Sequence, residues 1–127
     1  MERKKLETFF TFTIILMISI YSLFARSGKM GKLQNYFQNC EYQKAIELAE
    51  IILKDISLKE NDKTEILIIK GVSEFSLNKI AAAEETFTEL LLLNENITLD
   101  TRAVSPKIVE FFNELKNKAN LKLVYAI

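Results

Sequence analysis

The 127-residue chain has no histidine, no tryptophan, one cysteine, one proline and three glycines. Without histidine it lacks the commonest general base, the imidazole metal ligand and any Ser-His or Cys-His nucleophile pair. Cys40 stands alone, so no internal disulfide and no multi-cysteine metal site is available. It reads as a semi-buried residue at a helix end. So little glycine and proline leaves few turn signals, which favours long helices over a strand-and-turn fold. Charge of one sign is missing too. Seventeen Lys and Arg balance seventeen Asp and Glu, and 14 basic and 15 acidic side chains remain beyond residue 25. No bulk field points to nucleic acid. There is no Gly-rich phosphate loop, no paired catalytic carboxylates and no nucleophile motif. The expectation is a protein that is not an enzyme and uses no cofactor or metal.

What the chain does have is apolar content, 49% hydrophobic against 27% charged, which excludes a disordered polar polymer. Its length suits one small domain. MERKKLETFFTFTIILMISIYSLFARS opens with Arg3, Lys4 and Lys5, continues uncharged from Thr8 to Ala25 and closes at Arg26. Residues 1–26 are expected to be a cleaved signal peptide or a retained membrane anchor. Ala25 suits the residue before a cleavage site, whereas Leu23 is larger than the small residue preferred there. Phe9 to Ala25 would span about 26 Å as a helix, marginal for about 30 Å of hydrocarbon. Basic residues on both sides (Arg26, Lys29 and Lys32 follow) leave orientation open. No cysteine lies near Ala25, so a lipoprotein anchor is excluded. Targeting to the cell envelope is the expectation.

Residues 27–31 form a Gly-containing joint, read as a short linker, and helices follow. The first is expected over 31–39 and the second over 42–56, with Ala45, Leu48, Ala49, Ile52 and Ile56 at the spacing of one helical face. A charged break at 57–63 precedes a third helix over 64–77 that is apolar on most sides and must sit between neighbours. Asn78-Lys79 makes a tight turn into a fourth helix over 80–93 with Ala83, Phe87, Leu90 and Leu91 inward. Residues 96–120 hold a loop and a fifth helix. Ser105 is its expected N-cap, Pro106 lies in its first turn, and Ile108, Phe111, Phe112, Leu115 and Ala119 share one face. Residues 121–127 are a short apolar tail, open between a truncated end, a last helical turn and an added strand.

Ala45 and Ala83 stand 38 residues apart in matching contexts: Tyr36, Tyr42, Ala45 and Ala49, then Gly71, Ile80, Ala83 and Phe87. Each set is a short helix, a tight turn and an amphipathic helix opening with alanine. Residues 32–95 resemble two tetratricopeptide repeats, whose period is about 34, with the extra four residues in the charged break. Gly71, Ala83 and Phe87 match the family's small, alanine and aromatic positions in the second repeat. In the first, Ala45 matches the alanine, Tyr36 an aromatic late in the first helix, and Tyr42 also fits. Leu33, Ala49, Lys70 and Glu74 depart from the pattern, and the closing proline is missing in both. LLLNENITLDTRAVSPKIVEFFNEL, through Leu99, Asp100, Ser105, Pro106, Lys107 and Ile108, is similar to the tail of exported bacterial repeat proteins, where a last helix covers the stack. The resemblance implies an all-α fold: an N-terminal hydrophobic helix, two antiparallel hairpins of a right-handed α-solenoid, and a capping helix. It also implies a bacterial envelope protein in the periplasm. A mid-helix glycine costs about 1 kcal/mol against alanine. At residue 71 it is expected to face Ala83, letting two backbones approach to the near end of about 8–10 Å, with Phe87 filling the groove one turn on.

Solenoid repeats bind peptides or partner helices along the groove lined by each hairpin's first helix. Here Gln34, Phe37 and Gln38 from the first hairpin, with Ile68, Val72, Phe75 and Ser76 from the second, are the candidates. The competing reading makes these side chains core beneath the fifth helix. The expected function is a protein–protein interaction module or adaptor in the envelope, binding a protein partner and touching the membrane through residues 9–25 if these are retained. A self-associating structural subunit, a homo-oligomer, is the alternative.

Overall fold

In the computed structural model the backbone of residues 2–125 is described, together with the side chains of 7–17 and 28–122. Every element in it is helical: α1 (Glu2–Gln38), α2 (Tyr42–Leu53), α3 (Glu60–Ser76), α4 (Ile80–Leu93) and α5 (Pro106–Tyr125). The chain divides into two units, Met1–Lys32 and Leu33–Ile127.

In the first unit, Phe9, Phe10, Phe12 and Ile14 to Met17 are all exposed, between 50% and 73%. Thr11 and Thr13 turn their hydroxyls back onto the carbonyls of Glu7 and Phe9, at 2.6 and 2.7 Å. Both hydroxyls are thereby satisfied within the helix. Among the described residues no helix is long and apolar enough to cross a membrane. The basic head (1–6) and the second half of the apolar stretch (18–27) lie outside the described side chains. Residues 27–31, expected as an open linker, are helical. Glycine lowers helix propensity without forbidding helix.

In the second unit, α3 lies between α2 and α4, and α4 packs on α5. That position explains why α3 is apolar on most sides. Both hairpin turns are built alike. Cys40 and Asn78 take left-handed backbone, φ 58° and 61°. The amide of Glu41 donates to the Tyr36 carbonyl at 2.8 Å, and that of Lys79 to the Glu74 carbonyl at 2.9 Å. Cys40 donates to Phe37 and Asn78 to Phe75, at 3.1 and 2.9 Å. These paired bonds close a helix end by satisfying its last carbonyls, and asparagine tolerates the left-handed residue better than most. Each turn then launches its next helix identically, Ala45 donating to Glu41 and Ala83 to Lys79 at 3.0 Å. The 38-residue spacing seen in the sequence is thus repeated bond for bond in the backbone.

The core gathers Leu67 and Val72 from α3, Ala83, Phe87, Leu90 and Leu91 from α4, and Ile108, Phe112 and Leu115 from α5. Leu99 and Val104 pin the intervening loop onto it. Buried Ala45, Ile46, Ala49 and Ile52 form the inner face of α2. The helix limits differ from expectation where charge misled. α2 stops at Leu53, leaving Ile56 fully exposed, and α3 starts at Glu60 because Glu60 and Asp62 suit a first turn. On α5, Ala119 is exposed rather than inward, and the helix runs on to Tyr125, which takes up the helical option that the sequence left open for the tail.

Candidate functional site

The last turns of α1 and the outer face of α3 enclose an open cleft of 410 Å³. Gln34, Phe37 and Gln38 contribute one wall, and Asn61, Thr64, Glu65, Ile68 and Ile69 the other. Helix spacing explains the grouping: 34, 37 and 38, like 61, 64, 65 and 68, follow the three-and-four rhythm that aligns side chains on one face. Across the cleft the Gln34 amide Nε2 donates to Glu65 Oε1 at 2.6 Å. Phe37 is half-buried and meets Tyr42 edge-on, with ring centres 6.2 Å apart. An apolar floor of Phe37, Ile68 and Ile69 therefore lies under amide and hydroxyl groups. Such a surface can seat an apolar side chain and hydrogen-bond the peptide groups beside it.

The structure brings together Gln34, Phe37, Gln38 and Ile68, and places the other three groove candidates elsewhere. Val72 is 4% exposed and belongs to the core. Phe75 packs on Phe111 of α5 with ring centres 5.1 Å apart. Ser76 is exposed and turns its hydroxyl to the Val72 carbonyl at 2.8 Å. The fifth helix covers Phe75, while Ile68 keeps the second hairpin's share of the cleft. Asn61 escaped the sequence reading because residues 57–63 looked like a break between helices, and Thr64 and Glu65 because they stood at the expected start of the third helix. The acidic first turn of α3 was the signal available.

Of the residues expected to pack the repeats, four are buried. Ala45, Ala83 and Phe87 have no exposure, and Gly71 is buried. The nearest atoms to a side chain at 71 belong to the Phe87 ring rather than to Ala83. Tyr36 is half-buried, and Lys44 Nζ lies 5.6 Å from its ring centre. Tyr42 sits between the first turn and the end of α3. A hydrogen bond with Cys40 pushes its phenol above the ordinary 10.0, helped by partial burial and the charge of the Cys40 thiolate, while Ser76 pulls the other way.

Lys70 and Glu74, the two polar departures from the repeat pattern, form a partly buried cluster. Lys70 Nζ is 3.6 Å from Glu74 Oε1 and donates to Thr86 Oγ1 at 3.1 Å. The Thr86 hydroxyl donates in turn to Glu74 Oε1. The carboxylate is 4% exposed and the ammonium side chain 18%. Lys70 and Glu74 thus partner each other, and the shared Thr86 hydroxyl ties α3 to α4. Beside them the Ser73 hydroxyl is buried without a partner.

No family model matches the chain, and neither a curated protein nor a solved structure does.

Proposed function

We propose that this chain is a protein–protein interaction module of the bacterial envelope, held at the membrane by its N-terminal helix and binding its partner in the α1–α3 cleft. On this reading the two hairpins are tetratricopeptide-like repeats of a right-handed solenoid, α5 is the cap, and the module works by binding, without catalysis of its own. The observation that carries it is the convergence of Gln34, Phe37, Gln38 and Ile68, from the first helices of successive hairpins, on one open cleft. The repeated turn geometry supports the solenoid. The uncovered apolar side chains of Phe9 to Met17 support the anchor, since each is at least half exposed and hydrocarbon is the medium that removes that cost.

A photo-reactive phenylalanine analogue at position 38 or 64, in cells, tests the cleft, with position 85 on the exposed face of α4 as the control. The reading expects a discrete protein adduct from 38 and 64 and none from 85. Equal adducts from all three would overturn it. Alkaline extraction of the membrane fraction and N-terminal sequencing of the mature protein test the anchor. A product beginning near residue 26 and released from membranes would reduce residues 1–26 to an export signal.

A further inference from the structure

The ends of α4 and α5 leave a second apolar recess that the cleft reading does not use. Leu91, Leu92, Leu93 and Leu115 line it, with Glu95 and Lys116, around 440 Å³. Leu92 is 85% exposed, and Leu121 farther along α5 is 54% exposed. Large apolar side chains grouped around a recess mark a contact surface, where single scattered ones do not.

We infer that this recess is the contact between two copies of the chain. A two-fold contact sets a patch against itself, so any projection or charge on it must find its complement, a cavity or the opposite charge, on the same patch. On this patch each does. Leu92 projects beside a cavity that falls within the range of small-molecule pockets, about 300–1,000 Å³, with ample room for a leucine side chain. Lys116 Nζ is held in place by donating to the Ile97 carbonyl at 3.0 Å. Glu95 has no hydrogen-bond or ion-pair partner among the described residues. In a pair of copies, Glu95 of each meets Lys116 of the other while Leu92 of each enters the opposing recess. The chain's net charge is zero, so no long-range repulsion opposes the approach.

Sedimentation velocity of the full chain in density-matched detergent micelles, over a range of concentrations, decides it. The expected result is a concentration-dependent dimer. Glu95→Lys and Lys116→Glu should each weaken it at least about tenfold, as close interfacial charge pairs do, and the double exchange should restore it. Leu92→Glu should abolish it. Leu92 and Glu95 are exposed, so their variants keep the fold, and circular dichroism checks this. Should Lys116→Glu unfold, the Glu95→Lys and Leu92→Glu arms still decide. A monomer at every concentration overturns the inference. So does a dimer indifferent to Leu92→Glu, because its contact then lies elsewhere on the chain.

Discussion

The ring of Phe87 occupies the space in which a side chain at Gly71 would begin: a Cβ built there would lie 2.4 Å from Cε1 and 2.7 Å from Cδ1. The ring has no room to retreat. It is fully buried and packed between Phe111 and Phe112, with ring centres 6.2 and 5.4 Å away. Two opposed effects therefore meet in Gly71→Ala. Helix propensity favours alanine by about 1 kcal/mol, while overpacking a filled core costs about 1–3 kcal/mol. The immovable ring makes the second the larger, so the variant should lose net stability in urea melts. A midpoint at or above the parent's would contradict this.

The first hairpin carries the opposite order of sizes at the equivalent positions. Thirty-eight residues before Gly71 and Phe87 stand Leu33 and Ala49, both without exposure. The large side chain lies on the first helix there and on the second helix in the next hairpin. Phe87→Ala alone should cost about 3–5 kcal/mol. Gly71→Leu combined with Phe87→Ala should cost less than the sum of the two single changes, with a coupling of about 1 kcal/mol or more. Strict additivity would mean that the two positions do not share a space.

Glu74, Lys70 and Thr86 test whether the polar cluster between α3 and α4 adds stability. Removing Glu74 alone leaves the ammonium without its partner in a mostly buried setting, and Glu74→Ala should cost about 3 kcal/mol, the low end for broken buried pairs because Lys70 keeps some solvent access. Lys70→Met with Glu74→Leu removes both charges together. It should come within about 1 kcal/mol of the parent, since apolar replacements of buried pairs are often neutral. Denaturant midpoints of the three proteins separate a needed pair from a tolerated one.

Phe75 and Gln38 should part company, although both were groove candidates in the sequence. Phe75 seats α5 through Phe111, so Phe75→Ala should cost about 2–3 kcal/mol, below the 3–5 of a fully buried phenylalanine. Gln38→Arg, on an exposed cleft position, should stay within about 0.5 kcal/mol while blocking the cleft and removing the position-64 photo-adduct.

Tyr42 gives a pH signature. Its phenol is raised above the usual 10.0, first by the hydrogen bond with Cys40. The folded chain thus holds this proton more tightly than the unfolded chain. The associated stability is complete below the unfolded value near 10 and is lost as the pH climbs through the higher folded value. Absorbance titration should show a tyrosine ionising late, and Cys40→Ser should bring it down.

Local pattern alone determined the all-helical class, the limits of α4, the two tight turns and the pairing of Ala45 with Ala83. Each depends on spacing and turn chemistry within a few residues, which the order of side chains records directly. Coverage was settled only in three dimensions. Phe37 and Phe75 are alike in the sequence, yet α5 crosses one and leaves the other beside an open cleft. Which atoms fill the space at Gly71 was likewise decided by the α3–α4 approach, which set Phe87 there instead of Ala83. Burial by a segment dozens of residues away leaves no trace in local periodicity.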